Sequence, residues 1–203
     1  MRVGVLGPLE VRDEAGNLVP VGGARLRSLL IRLAAGDGRP VSVERLAQDL
    51  WEDGGPADAA NAIQALVSRL RGAAGRDVVE YGPGGYRLAV PPGQVDARAF
   101  EQLVAAAREA LAQGDRAGGA AALRQALGLW RGPALADVAD APFAAAQITR
   151  LSELRLSAAE DLFDAELAAG RGGRSAPRPR TRTGRSGRSA GGPGRPGSRR
   201  RSR

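Results

Sequence analysis

The stretch NAIQALVSRLRGAAG, residues 61–75, decides how the rest of the chain is read. On a 3.6-residue turn, Ile63, Val67, Leu70 and Ala74 fall within about 60° of one another, which predicts a helix with a core-facing ridge. The opposite side carries Asn61, Ala65, Ser68 and Gly72, flanked by Gln64 and Arg69, with Arg71 near the boundary. Two readings fit this stripe. Small side chains let a helix sit deep in a DNA major groove, where Asn and Gln pair with adenine and Arg with guanine, while Ser and a boundary Arg suit phosphates. The same residue types also make up an ordinary solvated helix face.

The flanking sequence bears on the choice. Upstream, Val3, Val5, Leu9 and Val11 alternate between the turn signals Gly7-Pro8 and Gly16-Asn17, predicting short strands. Helical spacing then runs through Leu26, Leu29, Leu30 and Leu33 and stops at Gly36. A second helix follows, with Ser42 as its cap and Leu46, Leu50 and Trp51 on one face; Asp58 is placed to cap the third. Downstream, VVEY-GPGG-YRLAV reads as a hairpin in which Tyr86, Leu88 and Val90 point inward and Arg87 outward. Strands, three helices and a hairpin within about 90 residues give a helix-turn-helix with a wing. The wing glycines suit turn geometry; as a phosphate-cradling loop they lack a following Lys-Ser/Thr and helix. An outward Arg on such a ribbon reaches a DNA backbone or minor groove.

Beyond the Pro/Gly break VPPGQVD an all-helical region begins at Asp96. One stripe holds Phe100, Leu103, Val104, Ala107 and Leu111, and a second holds Leu123, Leu127 and Trp130. A long helix over about 143–169, with Pro142 in its first turn, carries an apolar arc wider than half its circumference. Leu151, Leu154, Ala158, Leu162 and Ala165 take one side and Leu156, Ala159, Phe163 and Leu167 the other, so this helix needs neighbours on two sides. The pattern suits stacked antiparallel pairs in a tetratricopeptide-like array.

Composition removes most chemistry. The 203 residues contain no Cys and no His, which excludes disulfides, thiolate or imidazole metal sites and the usual nucleophile–base pairs. The Asp and Glu residues fall on helix faces and turns, where solvation and capping account for them, so no catalytic, cofactor-binding or metal-binding residue is assigned. No apolar run approaches the roughly 18 residues of a membrane span, and the N-terminus turns charged too early for a signal peptide, which predicts a cytoplasmic, nucleoid-associated protein without a membrane partner. The net charge of +8 is unevenly spread: residues 1–170 hold 18 Arg and all 22 acids, and residues 171–203 hold 12 Arg and no acid. That tail contains only Arg, Gly, Ser, Pro, Thr and Ala, a composition that predicts disorder. It reads either as a nonspecific nucleic-acid tether or as out-of-frame translation of a GC-rich gene.

The motifs LGPLEV, GGARLRSLL, VSVERLAQDLW, NAIQALVSRLR and GPGGYRL, in this order, resemble the N-terminal domain of the Streptomyces antibiotic regulatory proteins, an OmpR/PhoB-type winged helix. VDARAFEQLVAAAREAL, ALGLWRGPALADV and LSELRLSAAEDLFDAELAAGR resemble the family's bacterial transcriptional activation domain. The resemblance implies residues 1–92 as an α+β winged-helix domain, 95–170 as a partial tetratricopeptide-like activation domain, and 171–203 as a separate tail. It further implies a transcriptional activator of a biosynthetic gene cluster that binds repeated promoter sites in double-stranded DNA, as a homodimer, beside RNA polymerase. Asn61, Gln64, Ala65, Ser68 and Arg69 would face bases, Arg71 the backbone, Tyr86 and Arg87 would lie on the wing, and Arg25 and Arg27 would touch phosphate or polymerase. The family's winged domain is related to phosphorelay response regulators, yet no phosphoacceptor receiver precedes it here, so direct phosphorylation control is not expected. Leu66 and Gly72 depart from the family pattern, and a mid-helix Gly, costing about 1 kcal/mol relative to Ala, predicts fraying after residue 71. A different class of function fits the same organisation: a helical half that binds a protein partner, with a purely structural winged half. If the tail is out of frame, translating the DNA beyond codon 170 in the other frames restores leucine-rich helical sequence; sequencing that DNA checks it.

Overall fold

The computed structural model describes residues 1–51 and 55–172. The N-terminal half opens with an antiparallel pair, β1 (Arg2–Gly4) and β2 (Glu10–Arg12), in register Val3 to Val11. Three helices follow, α1 (Ala24–Ala35), α2 (Val43–Trp51) and α3 (Ala59–Ala74), and then a hairpin of β3 (Val79–Gly82) and β4 (Gly85–Leu88). The two short caps read from the sequence form: the Arg45 amide donates to Ser42 Oγ at 3.2 Å and the Asn61 amide to Asp58 Oδ1 at 2.9 Å. Gly36 terminates α1. This is the winged-helix order of elements, with one connection that periodicity does not reveal. Val41, between α1 and α2, exchanges two backbone hydrogen bonds with Tyr86, at 2.8 and 2.9 Å, so β4 lies between β3 and the helix connector.

The C-terminal half is α4 (Asp96–Ala112), α5 (Arg116–Leu127) and α6 (Pro142–Gly172). Residues 113–115 turn the chain back after α4, and α5 packs on both α4 and α6. Phe100, fully buried, meets Trp130 edge-to-face with ring centroids 5.4 Å apart. Leu151, Ala158 and Ala165 of α6 are buried, whereas Leu156, Phe163 and Leu167 are exposed, so only half of its wide apolar arc finds a neighbour among the described residues. No described helix is long and apolar enough to cross a membrane. The tail expectation lies outside the described residues from 173 onward.

The two halves share one continuous buried core, and the segment 5–9 is threaded between them. Its backbone has almost no partners of its own kind in the N-terminal sheet; it is satisfied from the helical half instead. The Val5 and Leu6 amides donate to the two carboxylate oxygens of Asp96 at 2.7 and 3.0 Å, and the Leu9 amide donates to Asp137 at 2.5 Å. Returning bonds come from the Arg131 amide to the Leu6 carbonyl and from the Leu135 amide to the Val5 carbonyl, both 2.7 Å. Leu135 adopts a left-handed φ of 54° to make its bond. Burial pushes the Asp96 carboxyl above its ordinary range, against the lowering effect of the Val5 and Leu6 amides and of Arg131. Asp96→Ala leaves two buried amides without acceptors and is expected to lower stability by about 2–4 kcal/mol, measured as a shifted urea midpoint at unchanged slope.

Candidate nucleic-acid interface

α3 spans 16 residues and extends about 24 Å. Ile63, Leu66, Val67 and Leu70 are buried against α1, α2 and the hairpin, so the core ridge includes Leu66 in addition to the positions expected from the sequence, while Ala74 is only half-buried. Asn61, Gln64, Ala65, Ser68, Arg69 and Gly72 are all exposed on the other side. Helix periodicity alone produces this division, because the apolar residues claim one arc and leave the small and polar ones outside.

α3 and the hairpin enclose an open groove lined by Gln64, Ser68, Arg71, Gly72, Arg76 and Tyr81. The wing is set against the helix by Arg71, whose Nε and Nη2 both donate to the Val79 carbonyl, at 3.1 and 2.7 Å. The same last turn holds the Gly75 amide on the Arg71 carbonyl at 3.0 Å, and α3 runs through Gly72 to Ala74. A Cβ at Gly72 would meet nothing within 4 Å. Gly85 is different: its φ is +109°, and a Cβ there would lie 2.0 Å from the Val41 carbonyl oxygen, so the close pairing of β4 with the helix connector requires glycine.

Several residues singled out from the sequence have other places in the structure. Tyr86 is largely buried, as its alternation with Leu88 requires, yet it still lines the groove between α3 and the hairpin. Burial raises its phenol pKa, with Tyr81 adding to the rise and Arg71 opposing it. The exposed ring is Tyr81, directly across the hairpin, with its centroid 4.8 Å from that of Tyr86. Arg87 points outward and pairs across the strands with Glu80. Arg71 is committed to the Val79 carbonyl, which makes it a brace of the groove wall. Arg27 pairs with Asp137, and Arg25 stacks 5.9 Å from the Trp51 ring beside a depression shared with Asp140 and Phe143. Both therefore face the helical half. Their helical periodicity was correct; the partner sits more than a hundred positions away, beyond the reach of local pattern.

Two residues join the groove that the sequence reading left out, Tyr81 and Arg76. The signal for Tyr81 was the hairpin register, since the residue opposite an inward Tyr86 on the other strand lies on the same sheet face. Among the described residues Arg69 and Arg76 enter no ion pair, so their guanidinium groups are available to an anion. The surface thus offers side-chain amides, one hydroxyl and unpaired guanidinium groups on a slim helix, beside an exposed aromatic ribbon. No group of three Asp or Glu that could hold a metal occurs among the described residues.

The bacterial transcriptional activator domain model matches residues 95–185. The regulatory protein AfsR of Streptomyces griseus is 36% identical over 171 residues, covering 84% of this chain but 17% of that protein. The transcriptional regulatory protein EmbR of Mycobacterium tuberculosis is 37% identical over 174 residues, 83% of this chain and 45% of the relative. The regulatory protein DnrI of Streptomyces peucetius is 32% identical over 182 residues, 84% of this chain and 66% of the relative. The chain therefore spans between a sixth and two thirds of the length of these relatives. The structure of M. tuberculosis EmbR in complex with a low-affinity phosphopeptide superimposes with a TM-score of 0.77 at 35% identity, over 85% of this chain and 47% of that one. Two glycines give opposite expectations for stability: Gly72→Ala raises it by about 1 kcal/mol, and Gly85→Ala lowers it by more than about 1 kcal/mol. Thermal melts of the two variants check both signs.

Proposed function

The chain belongs to the Streptomyces antibiotic regulatory protein family and carries a bacterial transcriptional activator domain, and on that premise we propose that it is a non-catalytic transcriptional regulator that reads double-stranded DNA. α3 enters the major groove with Asn61, Gln64, Ala65, Ser68 and Arg69 toward base edges, and the wing lies along the adjacent backbone with Arg87 toward phosphate. The observation that carries this reading is the uninterrupted exposed face of α3, slim at Ala65, Ser68 and Gly72 and polar at Asn61, Gln64 and Arg69. Tyr81 and Arg76 are added as groove-wall contacts. The exposed Arg87–Glu80 pair yields easily to a phosphate, because such surface pairs contribute little. The helical half then presents a surface to RNA polymerase, and two copies on adjacent repeats would make an activator of a biosynthetic gene cluster.

Footprinting across a promoter library with a chain ending at residue 172 tests the reading without the counterion effect of the Arg-rich tail. A cut at 93 would remove Asp96 and Asp137, the acceptors of the buried 5–9 segment, and is unsuitable. Gln64→Ala and Arg69→Ala are expected to relax sequence preference by about 1–3 kcal/mol per contacted base, and Arg87→Ala to weaken all sequences alike. An Arg69→Ala protein with unchanged affinity and preference would remove α3 from the reading-head role.

A further inference from the structure

The DNA-binding reading leaves unused a cleft of about 290 Å³ where the two halves meet, walled by the end of α1 and the connector after it, the first turns of α4 and the first third of α6. Its floor is apolar, with Val5, Ala34, Leu135 and Leu151 all buried. Its other lining is charged, with Arg39, Arg98 and Arg150 against Asp37 and Glu101. Arg150 is engaged by Glu101 and Gln147 and brings no free charge. Arg98 is placed differently. Its side chain is 11% exposed beside the 36–38 turn, where a Cβ at Gly38 would lie 3.3 Å from both Nη1 and Nη2. Asp37 Oδ1 comes within 2.9 Å of Nε from a side chain that is 67% exposed, yet Nε and Nη2 are both buried without a hydrogen-bond acceptor. Buried N–H groups left unmet in this way cost free energy that an acceptor recovers. Arg39, exposed on the same cleft, enters no ion pair among the described residues.

We propose that this cleft binds a small organic oxyanion, a carboxylate or a phosphate ester on a compact apolar body. The head group lies between Arg98 and Arg39 and accepts from the N–H groups that Asp37 leaves unmet, while the body covers Val5, Leu135 and Leu151. Charge, shape and size select this class. Beyond the pairs Arg98–Asp37 and Arg150–Glu101, the lining keeps one cation, Arg39. A guanidinium fork matches two oxygens of one head group. At about 30 Å³ per water-sized group the cleft takes roughly ten non-hydrogen atoms, too few for a nucleotide. Arg39 belongs to the winged half and Arg98 to the helical half, so an occupant bridges the two. The inference uses no α3 residue and is independent of DNA binding.

The test is an amide-resolved NMR titration of the full chain with benzoate, phenyl phosphate, benzyl alcohol and inorganic phosphate at constant ionic strength. Shifts are read at residues 36–39 and 97–101, which separates the cleft from anions held by the Arg-rich residues 171–203. Benzoate or phenyl phosphate is expected to bind there at least about tenfold more tightly than benzyl alcohol, which lacks the charge, and inorganic phosphate, which lacks the body. The tighter of the two identifies the head group. Arg39→Gln and Arg98→Gln are each expected to weaken that binding at least about fivefold. Arg116→Gln, on α5 and outside the cleft, leaves it unchanged. Arg39 is exposed, so its variant carries the test if Arg98→Gln does not fold. No shift at these residues, equal binding of benzyl alcohol or inorganic phosphate, or an equal loss on Arg116→Gln would each overturn the proposal.

Discussion

Two buried amides, those of Val5 and Leu6, need acceptors, and the structure is arranged around the carboxylate that supplies them. Backbone donors removed from water cost free energy unless paired, and the short β1–β2 hairpin offers these two nothing. Asp96 accepts both from the first turn of α4. That one carboxylate decides where the helical half begins and how it is turned. With Arg131 and Leu135 returning bonds to the Leu6 and Val5 carbonyls, the segment becomes a strand shared by two halves. The C-terminal helices are thereby held on the β1 and α1 side, while α3 packs on α1, α2 and the hairpin and keeps its polar stripe in solvent.

The arginines divide along the same line. Arg27, Arg98 and Arg131 pair with Asp137, Asp37 and with Asp96 and Glu10, joining the halves; the Asp137 and Asp96 carboxylates are largely buried, whereas Asp37 is exposed. Arg71 works inside the winged half as a brace. Arg69 and Arg76 are left for an external anion. A negative body balance is thus compatible with free guanidinium groups on the groove, because Glu10, Asp37, Asp96 and Asp137 are engaged where the two halves meet and not beside α3.

Local pattern was enough for the elements and for the stripe on α3. Apolar spacing at Ile63, Val67 and Leu70, caps at Ser42 and Asp58, and glycine turns each act within a few residues, so the order of strands, helices and wing was legible. The alternation that put Tyr86 inward was also right, and register places the exposed ring at Tyr81 directly opposite it, with both residues lining the groove. What local pattern could not contain were pairings across the chain. Asp96 reads as an ordinary first-turn acid until Val5 and Leu6 arrive, and Asp137 looks like a loop residue until Arg27 and the Leu9 amide reach it. The wide arc on α6 announced neighbours on two sides, and the described residues cover one of them.

Arg71 gives the groove a property that neither of its walls has alone. A guanidinium clasped to the Val79 carbonyl ties the end of α3 to the first residue of the wing, while Val41 ties the inner wing strand to the start of α2. The helix and the ribbon thus meet through one guanidinium clasp, and the ribbon's other strand is sewn to the connector that precedes α2, so the wing is backed on two sides by the helices it flanks.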